Sequence, residues 1–131
     1  MQTIIRAALA ALLLATPAAA QSLSPLERVG NTPSQEKAFR LLVGNPYKQR
    51  MTFVLVPMDT TFSTPISGAT VRPAKLTLAP NYSRNVIVQF DIDPKLKERT
   101  IGLCVMPAAI DGPILPRVCG LYTGHMVSLG S

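Results

Sequence analysis

The fold is decided by residues 101–126, which read IGLCVMPAAIDGPILPRVCGLYTGHM. Two strand-like runs in this stretch, Ile101–Met106 and Arg117–Thr123, each carry one of the two cysteines of the chain. Cys104 and Cys119 are equidistant from Asp111-Gly112, a dipeptide that favours chain reversal because both residues tolerate a positive φ. The pattern predicts a β-hairpin closed by a cross-strand disulfide between Cys104 and Cys119.

The two faces of this hairpin differ in character. The face opposite the cysteines is apolar, and its residues are Ile101, Leu103, Val105, Val118 and Tyr122. Because side chains alternate along a strand, we expect this face in the core and the disulfide on the outer face. Three prolines favour an extended loop over a tight turn in Pro107–Pro116. A zinc site or a redox pair is the alternative for the thiols, but His125 is the single further soft ligand.

Residues 1–20 are interpreted as a secretory signal peptide. Arg6 supplies the positive charge, and Ala7–Ala15 is an apolar run too short to span a bilayer. Ala18-Ala19-Ala20 then provides small residues for cleavage before Gln21. A buried N-terminal helix is the alternative, which Pro17 disfavours. We therefore expect export to the periplasm, where a disulfide persists, and no membrane span.

The remaining residues, 21–131, have a length typical of a single domain with one modest core. Without Arg6, they hold 12 basic and 7 acidic residues. The basic residues are scattered, and the one cluster, Lys95–Arg99, contains Glu98. Nucleic-acid binding favours a basic patch with interleaved aromatic residues, so no nucleic-acid partner is expected. The charge is interpreted as a source of solubility and of attraction to acidic surfaces or carboxylates.

Short runs with alternating apolar residues, separated by turn signals, predict an all-β sandwich. The runs are Glu36–Val43, Arg50–Met58, Leu76–Leu78 and Asn85–Phe90. Abundant proline disfavours long helices. Asp59–Thr70 is expected to be a loop or a weak edge strand, and Asp91–Lys97 a short crossing with one helical turn after Pro94.

The sequence offers little for catalysis. It contains no nucleophile elbow, no zinc-protease motif and no glycine-rich phosphate loop. His125 is interpreted as a surface or tail residue. Asp91 and Asp93 have the spacing of an acid–base pair, but beside Pro94 they are more typical of turn chemistry and capping. We expect no enzyme, no cofactor and no metal site.

Several short motifs resemble one family. Arg28-Val29 is similar to the start of a first strand, and residues 39–46, FRLLVGNP, to a second strand with Asn in the following turn. Val71-Arg72-Pro73, Leu76–Pro80 and Val86–Val88 continue the likeness. Together they resemble the N-terminal immunoglobulin-like domain of periplasmic pilus (fimbrial) assembly chaperones. The resemblance implies an immunoglobulin-like β-sandwich over residues 21–131.

The resemblance also implies a mode of binding. Such chaperones donate the last strand of this domain to a pilus subunit, a form of β-augmentation. An Arg on the first strand and a Lys on the last strand anchor the carboxylate of the subunit. Arg28 fits the first role, and Arg117 is the nearest substitute for the second, whose own position falls on or near Cys119. Some members of the family join the last two strands by a disulfide.

Two departures from the family bear on this function. Family chaperones have two such domains, whereas the sequence ends nine residues after Tyr122, so we expect no second domain. The expected donor strand also offers only Val118 and Tyr122 as large apolar residues, on either side of Gly120.

Two functions therefore follow. In the first, residues 117–123 form an exposed edge strand that pairs with a secreted or surface-assembled protein subunit, with Arg28, Arg117, Val118, Gly120 and Tyr122 as its contacts. In the second, the protein is an accessory component of an envelope assembly, held by its loops or faces.

Overall fold

The computed structural model describes residues 22–109 and 117–128. These residues form nine strands and no helix, so the prediction of an all-β fold is confirmed. The strands are β1 Ser22–Ser24, β2 Glu27–Thr32, β3 Glu36–Gly44, β4 Met51–Met58, β5 Ala69–Arg72, β6 Lys75–Leu78, β7 Ser83–Asp91, β8 Glu98–Pro107 and β9 Val118–Met126. The predicted signal peptide and the Asp111-Gly112 turn lie outside the described residues.

The strands form two sheets. One has four strands in the order β1-β3-β7-β5, and the other has five in the order β2-β9-β8-β4-β6. All strand pairs are antiparallel except β2 with β9, which run parallel. The chain changes sheets between β1 and β2, so the N-terminal segment contributes an edge to each sheet.

The core lies between the sheets, on the faces that the alternation predicted. In β3, Phe39, Leu41 and Val43 are buried, while the residues between them are exposed. The same alternation buries one face of β4, β6 and β7, whereas the middle of β8 is buried on both faces. The buried apolar residues of these strands include Phe53, Leu55, Leu76, Leu78, Val86, Val88, Phe90, Ile101, Leu103 and Val105. Burying each such side chain fully stabilises the fold by about 1.5–3 kcal/mol relative to exposure. Apolar burial on both inner faces therefore holds the sheets together.

Two connecting segments have defined local structures. The Asp59 carboxylate accepts a 2.9 Å hydrogen bond from the Ser63 backbone N–H, which lowers the pKa of Asp59. The predicted loop or weak edge strand, Asp59–Thr70, ends in β5, which is an edge strand of the four-stranded sheet. After β7, Asp93 accepts a 2.8 Å hydrogen bond from the Lys95 backbone N–H. The residues that follow Pro94 form the single turn that was predicted, in which the Leu96 and Lys97 backbone N–H groups both donate to the Asp93 carbonyl.

Asn45 is a buried polar residue that ties the end of β3 to the β6–β7 connection. Its side-chain amide donates 2.9 Å hydrogen bonds to the carbonyls of Gln49 and Leu78 and a longer one to Ala79. Its carbonyl oxygen accepts from the Tyr47 backbone N–H at 3.0 Å. Because the side chain serves both as donor and as acceptor, one residue satisfies four backbone groups at this corner.

We expect Asn45→Ala to lower the free energy of unfolding by about 3 kcal/mol, since it leaves buried backbone groups without partners. Asn45→Asp should be at least as damaging at pH 7, because a carboxylate would face carbonyl oxygens. Its folded-state pKa would be raised, so stability should recover as the pH falls toward the unfolded value of about 4. Urea unfolding of both variants at pH 4 and pH 7 measures this. An Asn45→Asp protein that gains nothing at pH 4 would contradict the assignment.

The predicted hairpin and its disulfide are confirmed. Cys104 of β8 lies directly opposite Cys119 of β9, and the two sulfurs are bonded. The cysteines face away from the core, although the side chain of Cys104 has no solvent exposure. Pro107 is the last residue of β8, and residues 110–116 lie outside the described part. The covalent link fixes the register of these two strands.

Loss of the disulfide should lower the free energy of unfolding by roughly 3 kcal/mol, as the chain-entropy relation gives for a loop of this length. We expect this from urea unfolding of a Cys104→Ala, Cys119→Ala variant. The matched control is the unaltered protein with reductant, which should lose a similar amount. Reductant should not change the variant, and a further loss there would point to an effect unrelated to the disulfide.

Candidate functional site

The last strand, β9, lies within the five-stranded sheet over most of its length. It pairs with β8 on one side, and from Leu121 onward it pairs with β2 on the other. The expectation of an exposed edge over 117–123 is therefore wrong for its second half. In the part of the chain that the structure describes, β9 has an open side only before Leu121. The reason is nonlocal, since β2 is almost a hundred residues away in sequence.

The backbone groups on the open side can be assigned. The Leu121 N–H donates a 2.9 Å hydrogen bond to the Leu26 carbonyl, so it points away from β8. Alternation along the strand then directs the backbone groups of Cys119 and Arg117 the same way. The Cα atoms of Cys104 and Cys119 are 4.1 Å apart, the close spacing of a pair without hydrogen bonds between its members. Both observations leave the Cys119 N–H and C=O pointing to the open side.

The side chains named for this strand point mainly inward. Tyr122 has no solvent exposure, and its hydroxyl donates a 2.7 Å hydrogen bond to the Pro25 carbonyl. Gly120 is buried beneath it, since a Cβ there would lie 2.5 Å from the Tyr122 hydroxyl oxygen. Val118 is half-buried and packs against the core. Because Tyr122 and Gly120 are enclosed, only the backbone of residues 117–120 and outward side chains are available to a partner.

The two arginines expected to form an anchor pair are not brought together. Arg28 lies opposite Tyr122 and shares its face, and its guanidinium donates to the Arg40 carbonyl at 3.3 Å. Arg117 is exposed and directly precedes β9, where alternation assigns it to the face of Cys119. Five positions separate Arg117 from Tyr122, or roughly 16 Å along the strand. The two guanidinium groups therefore lie on opposite faces of the sheet and are also separated along the strand.

Arg28 instead shares an aromatic ring with a lysine that the sequence did not single out. The guanidinium carbon of Arg28 lies 5.5 Å, and the Lys37 ammonium 4.9 Å, from the centre of the Phe39 ring. The Lys37 stem crosses Gly30 and Gly124, which are opposite each other in β2 and β9. The sequence could have indicated this position, because Lys37 is two residues from Phe39 in a strand and therefore lies on the same inward face. The lysine stem covers the edge of the core while its charge stays near solvent.

The structure also places His125, the further soft ligand that the sequence offered. His125 lies in β9 and not in a tail, with its Nδ1 3.7 Å from a Glu98 carboxylate oxygen. Within residues 22–109 and 117–128, no cluster of three or more His, Cys, Asp or Glu side chains could hold a metal ion. In the same residues, no helix has the length and apolar character needed to cross a membrane.

Comparison with solved structures identifies the class of fold. The Escherichia coli chaperone DraB matches with a TM-score of 0.64 at 15% identity, over 85% of this chain and 57% of DraB. A complex of the Salmonella enterica SafA pilin with the SafB chaperone matches with a TM-score of 0.65 at 14% identity, over 89% and 59% of the respective chains. The chain thus spans little more than half the length of these matches. The predicted resemblance to pilus assembly chaperones is confirmed for the fold, an immunoglobulin-like β-sandwich.

The same fold occurs outside these chaperones. SSP-19, a protein of Caenorhabditis elegans like the MSP-domain family, matches with a TM-score of 0.56 at 12% identity, over 79% of this chain and 98% of its own. Neither a protein-family model nor a curated sequence matches the chain. At such low identity the likeness carries the fold alone, so function must be argued from this chain's own residues.

Tyr122 should make stability depend on alkaline pH. Burial raises its pKa from 10.0 to about 12. The folded state therefore holds this proton more tightly than the unfolded state, and the stabilisation is complete below pH 10. It should be lost as the pH rises from 10 to 12, by at most about 2–3 kcal/mol. Tyr122→Phe should lack this component in urea unfolding, while Tyr82→Phe, which alters an exposed ring, should retain it. Equal pH profiles for the two variants would contradict the assignment.

Proposed function

We propose that the protein is a periplasmic, chaperone-like binding protein without enzymatic activity. It pairs the open side of β9 with a strand of a secreted or surface-assembled subunit. The observation that carries the proposal is the set of outward backbone groups at Arg117 and Cys119. The likeness of the fold to that of pilus chaperones supports it, and so does the disulfide, which suits an oxidising compartment.

The open edge is suited to strand addition for two reasons. First, an incoming strand can bond to the backbone at Arg117 and Cys119, and main-chain hydrogen bonds provide affinity in β-augmentation. Second, the bond between Cys104 and Cys119 holds this edge to β8. The edge is therefore ordered before a partner arrives, which reduces the entropy lost on binding.

Charge has a secondary role in this proposal. Arg117 is exposed and adjoins the open edge, so it can contact an acidic group of the subunit. Arg28 already contacts Phe39 and the Arg40 carbonyl. We infer that Arg117 contributes to partner binding through its charge and through its backbone N–H, and that these two contributions are separable.

Arg117→Pro and Arg117→Ala separate them. Proline removes the outward N–H and the charge, whereas alanine removes only the charge. We expect Arg117→Pro to reduce capture of a subunit from envelope extract at least tenfold, and Arg117→Ala to reduce it two- to threefold. The oxidised protein serves as bait, and mass spectrometry identifies and quantifies the captured subunit.

The outcome distinguishes strand pairing from a charge contact. Equal losses for the two variants would assign binding to the charge and overturn pairing at this edge. Both variants should keep the unaltered melting temperature, because Arg117 precedes β9 and is exposed. Arg28→Ala provides a comparison at the other predicted anchor.

A second candidate function is that of an accessory envelope component held by a loop. The segment between β4 and β5 supports it, because this segment folds back onto the outer face of the five-stranded sheet. The Phe62 ring lies so close to Gly102 that a Cβ there would be 2.8 Å from it. If this loop is the contact, Ser63→Lys should abolish capture while Arg117→Pro leaves it unchanged.

A further inference from the structure

The outer edge of β2 is a second open edge, distinct from residues 117–120. The Leu121 N–H donates to the Leu26 carbonyl and the Val127 N–H donates to the Thr32 carbonyl, both at 2.9 Å. These even-numbered carbonyls therefore point toward β9. Alternation directs the backbone groups of Glu27, Val29 and Asn31 the opposite way. Among the described strands, none pairs with this side, because β2 ends the sheet.

This edge is long for an edge strand and carries exposed apolar side chains. At six residues, β2 is the longest of the four edge strands, since β1 has three residues and β5 and β6 have four each. Val29 is 61% exposed and Leu26 is 51% exposed. The charged residues of the strand are Glu27 and Arg28, and the guanidinium of Arg28 lies over Phe39. A regular edge with exposed apolar side chains is a template for pairing with another strand.

We propose that this edge binds a second copy of the chain through antiparallel pairing of β2 with its symmetry mate. Pro25 precedes β2 and Pro33 follows it, and neither can donate a backbone hydrogen bond to a ladder. They are four residues before and four residues after Val29. The register that uses the whole available edge is therefore centred on Val29 and matches itself under a two-fold axis.

The centred register pairs the outward backbone groups and keeps like charges from lying directly opposite each other. It pairs Val29 with Val29 of the second copy and Glu27 with Asn31 of the second copy. Each such pair exchanges two backbone hydrogen bonds. No like charges face each other, because Arg28 lies opposite Gly30 of the second copy. A shift by two residues brings Pro25 or Pro33 opposite an outward residue and shortens the ladder, so the register centred on Val29 is preferred.

The pairing joins the two five-stranded sheets edge to edge, with the two Val29 side chains side by side on the outer face. The positive charge of the chain opposes association at long range, but physiological salt screens charges beyond about 8 Å. Pairing is independent of the proposed subunit contact, because it uses the backbone of β2 and requires no other protein.

Charge substitutions at Val29 test the pairing. We expect the oxidised protein, purified after expression of the full-length sequence, to dimerise with a dissociation constant in the micromolar range in sedimentation equilibrium at physiological salt. V29K and V29E should each raise that constant at least 100-fold, because like charges then face each other across the two-fold axis. An equimolar mixture of V29K and V29E should restore association to within tenfold of the unaltered protein.

Controls make each outcome decisive. T77K places the same charge on β6, at the opposite edge of the same sheet, and should leave the dissociation constant unchanged. Circular dichroism and melting temperature establish that each variant is folded, as expected for an exposed position. A dissociation constant above 1 mM for the unaltered protein would overturn the proposal, as would dimerisation of V29K alone. A mixture that remains monomeric would overturn the register. Arg117→Pro should still dimerise, so failure here is distinct from failure of the subunit contact.

Discussion

The register between β8 and β9, fixed by the disulfide, is the constraint on which the rest of the five-stranded sheet depends. With Cys104 opposite Cys119, Tyr122 faces the core and its hydroxyl reaches the Pro25 carbonyl. A slip of one residue would direct Tyr122 to solvent and the cysteines to the core. The same register determines which backbone groups of β9 remain available to β2. A covalent bond on the outer face thus determines the packing on the inner face.

The parallel pairing of β2 with β9 divides one side of the sheet into two open segments. Because β2 begins its pairing at Leu121, residues 117–120 stay open, and β2 itself carries the outer edge beyond that point. The two segments differ in character. The segment at 117–120 adjoins an exposed cation and is held by the disulfide, whereas β2 exposes apolar side chains and a backbone edge bounded by prolines.

The fold and the exposed strand edges bear on function in different ways. Immunoglobulin-like sandwiches occur in pilus chaperones and also in a C. elegans protein like the MSP-domain family, so the architecture alone is compatible with several roles. The exposed backbone edges are properties of this chain's own topology. Strand pairing is a mode of binding that exposed backbone edges favour.

The all-β fold, the inward faces of the strands and the pairing of the cysteines could be predicted from the amino-acid sequence. These follow from local chemistry, because alternation sets the faces and the two cysteines are symmetric about a turn-favouring dipeptide. Which strands lie side by side could not be predicted, because strand order depends on long-range packing. Residues remote in sequence cover half of β9, separate Arg28 from Arg117 and place Lys37 over Phe39. A strand edge is open when no other strand pairs with it. Long-range packing determines which strands pair, so the sequence of the strand itself carries no local signal of an open edge.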